Sequence, residues 1–227
     1  FEKFVEILFQ IHIQFSNSTT GRSERIAVLF DRIADAMLDG QDFGELERLV
    51  NKLKTMMGSE ESQASVHKVS VDYILEHWGQ EEFVKRILSP VLNSDKDLIA
   101  SSIGIISQLS DSAVPAICHF CCQIADPRIR AKLWSIIAKN ISGHQVNIAR
   151  SVVSASIPVA REILQLLSEN SNSQDLGKLL LNGLQNPEAA VRLETMSIVE
   201  RCVPEQASNL LIRALSDLDS AVRGKAL

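Results

Sequence analysis

A spacing of 31 residues organises the second half of this chain. Arg130, Arg192 and Arg223 each follow a β-branched residue, Ile129, Val191 and Val222, and each stands four positions after an acid, Asp126, Glu188 and Asp219. Arg192 and Arg223 are 31 residues apart and Arg130 and Arg192 are 62 apart, twice that interval, so the period calls for a member at position 161, and residue 161 is Arg. One step further back falls on Ile99, which lacks the arginine but keeps Asp95 four residues before it. A period of this length implies supersecondary units that bury their apolar faces by stacking on one another.

The same period orders the segment ahead of each arginine. Ile87, Cys118, Ala149, Leu180 and Leu211 fall in register, as do Val91, Cys122, Val153, Leu184 and Leu215, and apolar residues four apart share one face of a helix. The arginine-bearing segments carry stripes of their own, Ile129, Leu133, Ile136 and Ile137 in one and Val191, Met196 and Val199 in another. Each unit therefore holds two amphipathic helices. Pro127, Pro158, Pro187 and Pro204 stand where helices should begin, a position that suits proline because its missing amide hydrogen would have no partner there. Units are expected at about 80–110, 111–141, 142–172, 173–203 and 204–227, the last truncated.

Residues 1–79 leave this register yet read as divergent helices near 22–39, 43–57 and 60–78. Gly40, Gly58 and Gly79 follow them and suit the left-handed conformation that ends a helix. Asp42 with Glu45 reads as a capping box for the second, whose apolar face holds Leu46, Leu49, Val50 and Leu53. At the start, Phe9, Ile11, Ile13 and Phe15 alternate as a strand would, while Phe1, Phe4, Val5, Leu8 and Ile11 fit a helix. Helix is preferred, because an isolated strand has no sheet to join. Ser16 to Thr20 with Gly21 reads as a loop. The expected fold is all-α, a right-handed solenoid of antiparallel helix pairs in one continuous array. The chain opens on Phe1 rather than Met and Leu227 falls inside an unfinished helix, so a piece of a longer protein is expected.

Composition narrows the function classes. The chain has 227 residues, 45% of them hydrophobic, enough to bury a core and too many for disorder. Its 23 Lys and Arg against 28 Asp and Glu give a net charge of -5, the wrong sign for coating phosphate backbones. No nucleic acid partner is expected. No apolar run approaches the length of a membrane span, so no membrane association is expected either. Four cysteines are too few for a disulfide framework and suit a cytoplasmic, reducing setting.

The stretches DPRIRAKL, NPEAAVRLETM and DSAVRGKAL resemble the start of the second helix in a HEAT repeat, and the chain is similar to the C-terminal helical-repeat region of a group of bacterial HEAT-repeat proteins. The resemblance implies an ARM/HEAT-like superhelix and a structural ladder in which Arg130, Arg192 and Arg223 pair with Asp95, Glu188, Asp126 or Asp219 of neighbouring units. The unit with Arg161 departs, having Ile157 where the acid should stand and Ala160 before the arginine.

Cys118, Cys121 and Cys122 with His119 spell C-H-F-C-C, a spacing that invites a zinc or redox reading. The register favours packing instead: Cys118 and Cys122 fall on Leu180 and Leu184, and Cys121 on Val152, Gly183 and Ala214. A tetrahedral site would need a fourth ligand, and Cys202 and His144 lie in other units. His12, His67, His77, His119 and His144 are scattered, and none is followed by a Glu as in the His-Glu ligands of iron-binding HEAT-like hydroxylases, although Glu76 precedes His77. The acidic pairs Glu60 with Glu61 and Glu81 with Glu82 fall at helix starts, where the dipole favours them. Trp134 aligns with Ile103, Gln165 and Met196 and Trp78 precedes Gly79, so both read as packing residues rather than exposed anchors. No phosphate-binding loop or nucleophile elbow is present. No catalytic residue, metal ligand or cofactor site is expected.

The reading that remains is a protein-interaction scaffold whose second helices line a concave groove. In register, Lys132, Ser135 and Lys139 of one unit and Glu194, Ser197 and Arg201 of another present a face of mixed charge, suited to a protein or peptide. The alternatives are a HEAT-like enzyme, akin to the bilin lyases or DNA-repair glycosylases that the resemblance brings in, and a spacer or regulatory arm for an effector domain elsewhere.

Overall fold

Helix starts in this chain are fixed by side chains that accept backbone N–H groups. Asp95 accepts from the amide of Asp97 at 3.2 Å, Asp126 from that of Arg128 at 2.8 Å, and Asp219 from those of Ala221 and Val222 at 2.8 and 3.2 Å. Each fills one of the orphan donors that open a helix. The computed structural model describes residue 7 and residues 21–57, 66–93, 95–203 and 207–227. Among the described residues there is no strand, and the chain is all-α.

It divides into two compact units, residues 1–117 and 118–227. This division differs from the change of register near residue 80. The first unit contains α1 (Gly21–Asp39), α2 (Phe43–Met57), α3 (Val66–Trp78), α4 (Glu81–Leu92) and α5 (Lys96–Ile106). Helix α1 packs on α2 and α3, α2 on α5, and α4 on α5. Phe30, Leu46, Leu49, Ile74, Leu75 and Ile87 are buried there, each worth about 1.5–3 kcal/mol of apolar burial. Trp78 is also fully buried, its indole N–H donating to Asp31 Oδ1 at 2.8 Å and its ring stacking on Phe83 at 5.2 Å. Arg86 of α4 joins Asp35 and Asp39 of α1.

Helix α6 (Val114–Cys121) crosses the division. The second unit continues with α7 (Pro127–Lys139), α8 (Gln145–Ser151), α9 (Ile157–Asn170), α10 (Ser173–Leu180), α11 (Ala189–Cys202), α12 (Ser208–Leu215) and α13 (Ser220–Lys225). Helices α8 and α9, α10 and α11, and α12 and α13 pack as pairs. Between pairs, first helix meets first helix in α8 with α10, and second meets second in α7 with α9, α9 with α11 and α11 with α13.

The burial pattern sharpens the periodic one. Ile87, Cys118, Ala149 and Leu180 are all buried, but Cys122, Val153 and Leu184 are only half-buried and Leu215 is exposed. The inner partner is one residue earlier: Pro90, Cys121, Val152, Gly183 and Ala214 are buried in every unit. In the second helices, Leu133, Trp134, Ile136 and Ile137 of α7 match Thr195, Met196, Ile198 and Val199 of α11. Helix α9 buries Ile163, Leu164, Leu166 and Leu167, one position ahead of the 31-residue register. Its N-cap is Ser156, whereas those of its neighbours are Asp126 and Glu188. Four residues past each N-cap stand Arg130, Ala160, Arg192 and Arg223. Arg161 is thus a coincidence of spacing, about 100° around its helix from the ladder position.

Three smaller expectations also change. Gly40 and Gly79 do not take the left-handed conformation; Gln41, with φ of 60°, turns the chain after α1, because its carbonyl-side neighbour Asp42 bonds back to Met37. Pro187 precedes the N-cap of α11 instead of opening the helix, whereas Pro127 and Pro158 do lie in first turns. The opening stretch, the Ser16 to Thr20 loop, Gly58, Glu60, Glu61 and Pro204 lie outside the described residues.

Candidate functional site

The ladder arginines bind the turn behind them, and Arg130 and Arg192 also bind a carboxylate ahead. Arg130 Nη1 donates to the carbonyls of Ile124 and Ala125 at 2.9 and 2.7 Å, Arg192 Nη1 to those of Asn186 and Pro187 at 2.9 and 2.7 Å, and Arg223 Nη1 to those of Asp217 and Leu218 at 2.8 and 2.9 Å. In Arg130 and Arg192 the other edge of the guanidinium reaches the next helix pair. Arg130 meets both oxygens of Glu162 at 2.9 and 2.8 Å, and Arg192 both oxygens of Asp217 at 2.8 and 2.9 Å. Such two-point pairing fixes direction as well as charge. Burial alone would raise the carboxyl of Glu162, but the donors Arg130 and Trp134 hold it below the ordinary range, and Arg192 does the same for Asp217.

The carboxylates differ from those implied by the family resemblance. Asp95, Asp126 and Asp219 spend their oxygens on helix N-termini, and Glu188 makes no such cap. Around α9, where Ala160 replaces the arginine, a different residue does the work. Asn186 is buried, and its amide donates to the carbonyls of Val152 and Ala155 at 2.7 and 3.1 Å, while its oxygen accepts the amide of Glu188 at 2.9 Å. Nothing in the repeat pattern singles out Asn186.

Arg161, one residue past the ladder position, faces a cleft. Arg161, Gln165, Ser168 and Glu169 of α9 oppose Glu194, Ile198, Arg201 and Cys202 of α11 across a cavity of about 620 Å³. Both sets follow an i, i+4, i+7, i+8 pattern, one face of a helix. A second cleft of about 400 Å³ lies between α7 and α9, where Ala131, Trp134, Ser135 and Ala138 oppose Glu162, Gln165, Leu166 and Glu169. Gln165 and Glu169 belong to both, joined by a 2.8 Å hydrogen bond, so the clefts adjoin along α9.

Of the six residues read as a partner face, Glu194 and Arg201 line the larger cleft and Ser135 the smaller. Glu194 lies 3.7 Å from Arg161. Lys132 and Lys139 are exposed, flanking Ser135 one turn to either side, and Ser197 is exposed with its hydroxyl donating to Leu193 at 3.2 Å. The sequence reading missed Gln165, Ser168 and Glu169. Trp134 is buried, with its indole N–H on Glu162 at 2.7 Å, and only its edge reaches the cleft.

Cys118 and Cys121 are buried and Cys122 half-buried. Burial pushes the Cys121 thiol up, and donation to Cys118 raises that of Cys122. Among the described residues no three His, Cys, Asp or Glu side chains gather closely enough to hold a metal ion, and no helix is long and apolar enough to cross a membrane. No family model, curated protein or solved structure matches the chain.

Proposed function

We propose that the chain is a HEAT-like solenoid that acts by noncovalent binding, taking a protein or peptide on the exposed face of its second helices. The observation that carries this reading is the pair of adjoining clefts along α7, α9 and α11, sharing Gln165 and Glu169. Their combined length suits an extended segment laid across parallel helices. Ala131 and Ala138 supply apolar wall over a floor formed by the buried Leu166 and Ile198, and arginine, glutamate and serine side chains supply polar contacts, the mixture typical of a peptide groove. The order of packing, second helix on second helix through α13, supports a solenoid.

Gln165 is exposed and borders both clefts, so Gln165→Trp fills them without touching the core. Affinity capture from an extract should retain a protein on the native chain and on Gln165→Ala, but lose it on Gln165→Trp, with circular dichroism showing all three folded. Equal retention on all three would put the binding elsewhere and defeat the proposal.

A further inference from the structure

The groove has an electrostatic character that the whole chain conceals. Residues 1–117 hold 11 Lys and Arg against 18 Asp and Glu, whereas residues 118–227 hold 12 against 10. On the second helices the carboxylates are largely committed: Glu162 to Arg130, Glu194 to Arg161, and Glu200 to Lys225 at 2.6 Å. Several cations are not. Arg128, Lys132 and Lys139 stand exposed along α7 at i, i+4 and i+11, the same stripe that carries Ser135, and Arg201 stands exposed in the larger cleft. Among the described residues none of these four has a carboxylate at ion-pair distance, although Arg201 bonds to Cys202 and lies in the field of Glu194 and Glu169. Against them stands Glu169, which accepts from Gln165.

Resting on the reading of this face as a peptide groove, we infer that its partner is an acidic peptide segment of another protein. Its small apolar side chains lie against Ala131 and Ala138, and its carboxylates meet Arg128, Lys132 and Lys139 on one side and Arg201 on the other. Charge complementarity selects the sign, because internal pairing has removed most of the negative charge from the face and left the positive. Ala131 and Ala138, set between the cations, select a peptide, whose side chains can meet both, over a phosphate backbone, which offers only charge. Rim charges of this kind act through many weak, solvent-screened pairs, so the preference falls with added salt.

The test uses labelled peptide pools of one mixed apolar and serine composition carrying Glu, Gln or Lys at the variable positions, titrated with the full chain and read by fluorescence anisotropy. The acidic pool should bind about tenfold more tightly than the neutral one, and Lys132→Glu with Lys139→Glu and Arg201→Glu should abolish that margin. Neutral or basic pools that bind as well as the acidic one, and are lost on Gln165→Trp, would leave the groove intact and overturn the acidic partner. No pool binding, with capture from extract also negative, would overturn both. Tighter binding of single-stranded oligonucleotide than of acidic peptide would reassign the face to nucleic acid. Self-association in sedimentation that the triple reversal removes would reassign it to the acidic residues 1–117 of a second copy.

Discussion

Arg130 and Arg192 are nearly removed from solvent, with side chains 6% and 12% exposed, and each has a carboxylate that would be stranded by its loss. Removing one partner of a buried pair costs about 3–5 kcal/mol, far more than the pair contributes net. Arg130→Ala and Arg192→Ala should therefore each lose about 3 kcal/mol in denaturant unfolding. Arg161→Ala and Arg223→Ala, at exposed positions, should stay within about 1 kcal/mol. Equal losses across the four would contradict the division drawn between them. The existence of the arginine set was legible from its spacing, but its carboxylates were not. Glu162 lies 32 residues after its arginine and Asp217 lies 25 after, so no period links them, and only the packed geometry brings them together.

Helix contacts impose a second constraint, on size. A Cβ on Gly183 would come within 2.2 Å of Thr195 Oγ1 and 3.0 Å of its Cγ2, in the buried seam between the end of α10 and α11. Gly183→Ala should cost about 1–3 kcal/mol through overpacking. Adding Thr195→Ala should recover part of that loss in a double-mutant cycle, and strictly additive losses would show that the two do not meet. The register had aligned Gly183 with Cys121 and Val152, correctly as an inner position, yet could not say why the smallest residue stood there. Its neighbour Thr195 occupies the position of Leu133 with a hydroxyl that donates to the Val191 carbonyl at 2.8 Å. The helices themselves were legible because apolar periodicity fixes which face is inside. The clefts were not, since they depend on outer faces, where α9 runs one residue out of register.

Taken whole, the protein couples its stability to acid. Glu162 and Asp217 hold their protons less tightly when folded than their ordinary values of 4.5 and 3.8. The stability they add is complete above those values and is lost as the pH falls through the lower, folded ones. Thermal midpoints followed by circular dichroism should fall steeply in that acid range, and the Arg130→Ala, Arg192→Ala double variant should fall less. Parallel acid limbs for the two proteins would refute the assignment. The part played by Asn186 reaches further than energetics. By holding the turn before α9 it relieves that helix of a duty that α7 and α11 still carry, and Ala160 stands where they have an arginine. In terms of inheritance, positions 130, 192 and 186 are bound by what they hold together, whereas position 161 is at liberty to change. Among relatives of this chain, substitutions should fall at position 161 before the other three.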